Sequence, residues 1–249
     1  MAAALDPTAP RMAVVTGASS GIGKATALQL AALGWQVTAL GRREMAPPEI
    51  AGVESVRYGA GDLALEDPVQ VLRRAAPDAL EGVTALVHCA GHDLGGGKPF
   101  HAHALDEWTS SLRLNVEATM RLTHACLPAM LARGTGDVVI VGSITARRAA
   151  PGLAAYSTGK HAMRGFAQAL RADYADSGLR ITEIAPGIVR SGFAGSRLHG
   201  DAVQAQAFYE GFVQYLEPED IARAICFALS QPAHVSVSEM VLLPTRERR

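Results

Sequence analysis

The chain has 249 residues, 49% of them apolar, with 23 basic residues against 24 acidic ones. That length and apolar share suit one α/β domain with a filled core, while the even charge balance argues against nucleic acid or an anionic membrane surface as a partner. Three scattered cysteines, Cys89, Cys126 and Cys226, form no Cys-x-x-Cys, which argues against a disulfide framework or a zinc site and for a reducing, cytoplasmic setting.

Residues 1–10 read as a flexible leader. They hold Asp6 and two prolines and lack a basic start followed by an apolar run, so no signal peptide is expected. No apolar stretch reaches the roughly 18 residues of a membrane span. Met12 to Thr16 is a compact β-like run, and Ile22 to Leu33 carries apolar residues at helical spacing up to Gly34, a natural C-cap. Further strands are expected at Trp35 to Leu40, Ser55 to Tyr58, Val83 to His88, Asp137 to Val141, Leu179 to Ile184 and Glu239 to Leu243. Helices are expected between them at 67–76, 106–132, 154–176 and 218–230, the last opened by Pro218 with Glu219 and Asp220 in its first turn. Regular strand–helix alternation predicts a doubly wound, Rossmann-type α/β domain over 11–249, with a seven-stranded parallel sheet covered on both faces. Two stretches break the rhythm: a loop at 91–105 containing Gly95, Gly96 and Gly97, and an insertion at 188–216 of the kind that shapes a substrate pocket.

Two local patterns carry chemistry. Between the first strand and first helix runs Thr16-Gly17-Ala18-Ser19-Ser20-Gly21-Ile22-Gly23. Its glycines allow a tight turn and close approach of a pyrophosphate, and the helix start offers free N–H groups to that anion. A lone glycine-rich string is weak; the strand–turn–helix setting strengthens it. The second pattern is Tyr156-Ser-Thr-Gly-Lys160. Four residues apart on a helix, the two side chains share a face. A tyrosine near its ordinary pKa of about 10 is a poor acid–base catalyst at neutral pH, and a neighbouring ammonium favours the phenolate. Taken alone, such a pair is more often structural than not.

The turn spacing Gly-x-x-x-Gly-x-Gly, Ser143 thirteen residues before Tyr156, Asn115 in Leu-Asn-Val and Pro186-Gly187-Ile188-Val189 after the sixth strand occur in order, and over 12–244 the chain resembles the short-chain dehydrogenase/reductase family. The resemblance implies an oxidoreductase that interconverts a carbonyl and an alcohol, with Tyr156 as proton carrier, Lys160 tuning it and bonding the nicotinamide ribose, Ser143 holding the carbonyl oxygen and Asn115 anchoring a water that leads to the lysine. It assigns Gly17, Ser20, Gly21, Ile22 and Gly23 to the pyrophosphate and Asp62 and Leu63 to the adenine. Ala90 and Gly91 become a packing surface for the cofactor, and Pro186, Gly187, Val189 and Ser191 the loop on its nicotinamide side. Cys89 stands where the family usually has asparagine. The second strand ends Gly41-Arg42-Arg43 with no acid before Glu44, which favours a ribose 2′-phosphate over a free hydroxyl and hence NADP(H), with Arg42 as first partner, Arg43 in support and Ser19 within reach.

The C-terminal third resembles reductases and dehydrogenases of 3-hydroxy acids, serine-type substrates and small aldehydes. A small anionic substrate wants an arginine; the candidates are Arg148, Arg190 and Arg197, with Arg197 favoured because it lies in the insertion. A ketone reductase of a 3-oxoacyl, steroid or secondary-metabolite substrate is the competing enzyme reading. A dinucleotide-binding regulator without catalysis is the reading from another class, disfavoured by the presence of Tyr156, Lys160 and Ser143. His92, His101 and His103 sit on one loop with no partner set for a metal. The long helices at 106–132 and 154–176 are the ones this family pairs between subunits, so a homo-oligomer, dimer or tetramer, is expected.

Overall fold

The computed structural model describes residues 11–246; the expected leader lies outside them. Seven strands form one parallel sheet: β1 (Met12–Thr16), β2 (Gln36–Gly41), β3 (Val56–Ala60), β4 (Ala85–His88), β5 (Gly136–Val141), β6 (Leu179–Pro186) and β7 (Glu239–Leu242), in the spatial order β3-β2-β1-β4-β5-β6-β7. All seven expected strands form, displaced by a residue or two at their ends. Their side chains alternate between two cores, as the period of two requires. Val14, Val138 and Ile140 point into one core, and Ala13, Val15, Val139 and Val141 into the other. Because both faces are covered, the central strands read as continuous apolar runs.

The helices are α1 (Gly21–Ala32), α2 (Pro48–Ala51), α3 (Pro68–Ala75), α4 (Ala79–Gly82), α5 (Leu105–Leu112), α6 (Thr119–Arg133), α7 (Ala154–Asp173), α8 (Phe193–Arg197), α9 (Ala202–Glu210) and α10 (Pro218–Leu229). α1 and α10 pack together over one face of the sheet. α3, α6 and α7 bury Val71, Leu122, Met130, Met163 and Leu170 on the other.

Besides the short helices α2 and α4, which no pattern in the sequence marks, two differences from expectation bear on the site. The helix expected over 106–132 is interrupted by a π-helical stretch, Arg113–Ala118, between α5 and α6; π turns are rare and concentrate at functional sites. The 188–216 segment holds two helices, α8 and α9, too short and too weakly patterned to stand out among the glycines and polar residues around them.

Sheet order reverses direction between β1 and β4, and that is where an open α/β sheet offers a crevice beyond its strand ends. The segments that follow β1, β4, β5 and β6 all emerge at this edge. They carry the glycine turn, Cys89–Gly91, Ser143 and Gly187. Among the described residues no helix is long and apolar enough to cross a membrane.

Candidate active site

Gly17 follows β1 with φ +69°. A Cβ there would lie 2.8 Å from the backbone of Ala90, so the turn closes against the end of β4 only because position 17 is glycine. Ala90 N–H is held by Thr16 Oγ1 at 3.1 Å, tying the two strand ends together. α1 begins at Gly21 with no side chain capping its first N–H groups and no acid in its first turn, which leaves the helix start open to an anion. The crevice above it is lined by Gly17, Ser19, Ser20, Gly21, Ile22, Gly23, Leu63, Ala90 and Gly91. It continues into a wider space flanked by Arg42, Arg43, Ser19 and Asp62. Free helix N–H groups beside two exposed guanidiniums fit the diphosphate and extra phosphate of NADP(H).

Burial pushes Cys89 up to about 12, so this thiol is not a nucleophile at neutral pH. Gly91 fits tightly where a Cβ would fall 2.5 Å from Asn115 Oδ1 and 3.5 Å from Lys160 Nζ. The Asn115 side chain makes three hydrogen bonds: its Nδ2 donates to His92 O at 2.8 Å and Ser111 Oγ at 2.9 Å, and its Oδ1 accepts from His92 N–H at 3.2 Å. The π-helical stretch carrying Asn115 is thereby stapled to the segment after β4. Burial and then the charge of Arg42 hold His92 down at about 4, so its ring stays neutral.

The structure brings Tyr156, Lys160 and Ser143 together in a cavity of about 290 Å³. Ser143 Oγ accepts from Thr145 N–H (3.1 Å) and Thr145 Oγ1 (2.9 Å), which leaves the serine proton free to bond Tyr156. Lys160 Nζ donates to Val141 O at 2.9 Å and stands 5.6 Å from the centre of the Tyr156 ring. The expected lowering of the tyrosine is not seen here. Burial pushes Tyr156 up to about 12, against the bond from Ser143, and burial brings Lys160 down to about 8. Both shifts follow from taking charge out of water.

The cavity wall opposite Ser143 comes from the 188–216 segment. Val189, Ser191, Phe193, Arg197, Phe208 and Phe212 line it, next to Pro186 and Gly187 at the end of β6. Tyr209 OH donates to Ser191 O and accepts from Ser191 N–H, fixing the loop against α9. Phe193 packs on Tyr156 with ring centres 5.2 Å apart. Arg197 is held between Phe193 and Phe208, 5.2 Å from each ring, and pairs with buried Asp93 at 2.9 Å. Arg148 is not among the side chains lining this cavity, and Arg190 pairs with Glu217 and stacks on Tyr215.

Asp93 and Glu107, which the sequence reading did not single out, explain the glycine loop. Glu107 gathers Lys98 (2.8 Å), His199 (3.0 Å) and His103 (3.6 Å). Cβ atoms at Gly95 and Gly96 would collide with the Glu107 and Asp93 carboxylates respectively. These glycines admit two buried carboxylates. One signal for the wall was available: Phe193 and Arg197 are four apart and so share a helical face. Among the described residues no group of three or more His, Cys, Asp or Glu is placed to hold a metal ion.

A family model described as short chain dehydrogenase matches residues 11–201. The chain is 36% identical to glycine betaine reductase ATRR of Emericella nidulans over 97% of its own length, yet spans only 19% of that much longer protein. It is 33% identical to sulfoacetaldehyde reductase 2 of Chromohalobacter salexigens, covering 94% of both. Among solved structures, the closed form of a serine dehydrogenase complexed with NADP+ superposes with a TM-score of 0.84 at 26% identity, covering 96% of each chain.

Proposed function

The chain belongs to the short chain dehydrogenase family, and on that premise we propose that it is a reductase of small aldehydes bearing an anionic group, returning the matching alcohols to aldehydes in reverse. It is an NADP(H)-dependent oxidoreductase acting on CH–OH groups. The observation that carries the substrate class is Arg197, which lines the same cavity as Tyr156 and Ser143; its Nη2 pairs with Asp93, and its buried Nε has no partner and would be left to bond a substrate anion. A cavity of about 290 Å³ lies at the small end of the roughly 300–1,000 Å³ usual for ligand pockets, which supports a small substrate over a steroid or a long acyl chain. The 33% identity to a sulfoacetaldehyde reductase points the same way.

NADPH, when bound, supplies the hydride. The helix start at Gly21–Gly23 with Gly17 and Ser20 would hold its diphosphate, and Arg42, Arg43 and Ser19 the 2′-phosphate. Asp62 and Leu63 flank the adenine side. Ala90, Gly91, Pro186, Gly187, Val189 and Ser191 would wall its nicotinamide side, and Tyr156 and Lys160 would bond the nicotinamide ribose. Ser143 donates a hydrogen bond to the carbonyl oxygen, and Tyr156 hands that oxygen its phenolic proton. The Lys160 ammonium stabilises the phenolate left behind, and Asn115 holds the π-helical stretch beside it.

The test is a panel of aldehydes of matched size carrying a sulfonate, a carboxylate, no charge or a trimethylammonium group, read as NADPH oxidation. The anionic members should be preferred. Arg197→Met should raise KM for them by about 10- to 100-fold more than for the neutral aldehyde, the worth of a bond to a charged group, since the loss of the Asp93 pair is common to all four. Equal turnover of all four, or an Arg197→Met effect that ignores charge, refutes the anionic class.

We also propose a homo-oligomer built on α6 and α7. A groove of about 480 Å³ on their outer side, lined by Met120, Ala125, Leu127, Phe166 and Leu170, supports it. Sedimentation at micromolar concentration should give a multiple of the 26.1 kDa chain mass; a monomer there rules it out.

A further inference from the structure

Three consecutive residues at the end of β5 each engage a different partner. Val141 O takes Lys160 Nζ, Ser143 bonds Tyr156, and between them Gly142 lies against the carboxylate of Glu183 on β6. A Cβ at Gly142 would sit 2.5 Å from Glu183 Oε1, and Gly142 N–H donates to Ile184 O at 2.7 Å. Glu183 is 0% exposed. Its two oxygens accept from Arg147 Nη1 (3.0 Å) and Nη2 (2.9 Å), and Arg147 Nη2 also reaches Glu239 Oε2 on β7 at 2.9 Å. Arg147 belongs to the same turn as Ser143, four residues further on.

A buried ion pair of this kind does little for net stability, because desolvation offsets the attraction. Its geometry has another use. The turn 142–147 leaves β5 and is gripped at both ends by β6, through Gly142 at one end and Arg147 at the other. Ser143 lies inside that grip.

We propose that Glu183, held by Arg147 beneath Gly142, is a positioning residue for the reaction, fixing the turn that aims Ser143 at Tyr156 and Lys160. The proposal rests on the assignment of those three residues as the reacting set. The charge of Glu183 also bears on Lys160. The ammonium faces Tyr156 from its own helix, Cys89 just after β4 and Glu183 from β6; the Glu183 carboxylate favours its charged form against burial, while the Cys89 thiol is uncharged at neutral pH. Glu183 in turn faces Arg147 and, through it, Glu239, to which Arg164 and Arg171 of α7 also reach. Asp93 and Arg197 act on Tyr156 from the opposite wall.

The test is Glu183→Gln in the full chain, which keeps the shape and removes the charge. Misplacing Ser143 by a fraction of an ångström should lower kcat for NADPH-dependent reduction by about tenfold or more, with KM for NADPH unchanged. The alkaline limb of the kcat–pH profile should move to lower pH, because Lys160 loses a charge that favours its proton. If kcat stays within twofold and the two profiles superimpose, the proposal fails, whatever happens to the melting temperature. Should Glu183→Gln not fold, Arg147→Lys keeps both charges but cannot bond two carboxylates in a fork. It should lower kcat and leave the alkaline limb where it is; an unchanged kcat overturns the positioning role. Retained turnover in Tyr156→Phe would instead remove the underlying assignment, so the two failures are told apart.

Discussion

Tyr156→Phe should lower turnover by about 10²- to 10⁴-fold, the usual worth of a positioned proton donor, while NADPH still binds. The substitution removes one oxygen and keeps the ring that packs against Phe193, so the cavity wall survives. The pH dependence of the unmodified protein follows from the same pair. With Tyr156 up at about 12, the phenol stays protonated across the neutral range and remains a donor. Lys160 carries its charge only below about 8, so the ammonium that steadies the newly formed phenolate is progressively lost above that pH. Reductive turnover should therefore be level through neutrality and decline above pH 8. Rapid-mixing measurements of NADPH consumption across pH 6–10 would show it; a rate that climbs steadily to pH 10 contradicts the role of the ammonium.

Arg42→Ala should cost about 10- to 100-fold in NADPH affinity, since a charge-assisted bond to phosphate is worth roughly 1.5–3 kcal/mol, and should leave NADH affinity nearly unchanged. Both Arg42 and Arg43 flank the space beside Ser19, and the double replacement should bring the two cofactors to parity. Titration by quenching of intrinsic fluorescence separates the outcomes: equal losses for NADPH and NADH would mean that Arg42 supports the fold of the turn rather than the 2′-phosphate.

The parts of the protein that were legible in the sequence are those whose physics is local. A glycine turn between a strand and a helix, a tyrosine and lysine on one helical face, and seven runs of the right length each declare themselves within about ten residues. What stayed hidden depends on residues far apart in the chain. Arg147 meets Glu183 across 36 residues and Glu239 across 92, and Glu107 meets His199 across 92. No period or spacing announces such pairs. The substrate wall fell between the two cases: Phe193 and Arg197 sit at helical spacing, but glycines and polar residues around them made the segment read as loop. The acid–base tuning was legible as a pair but not in its direction: the tyrosine expected to be lowered is raised, because burial, which dominates both shifts, is a property of the folded cavity.

The π-helical stretch has a consequence for phase. Buried positions recur every four residues along this region, at Glu107, Ser111, Asn115, Thr119, Thr123 and Leu127. A plain α-helix turns about 100° per residue, so each step of four would carry the buried side about 40° further round the axis. Over the run, the stripe would wind off the sheet and out to solvent. The wider turn at Arg113–Ala118 takes back part of that rotation, so Ser111 and Leu127 can both face inward from one continuous rod. Shortening the stretch by one residue would turn either Asn115 or the Cys126–Met130 side away from the interior.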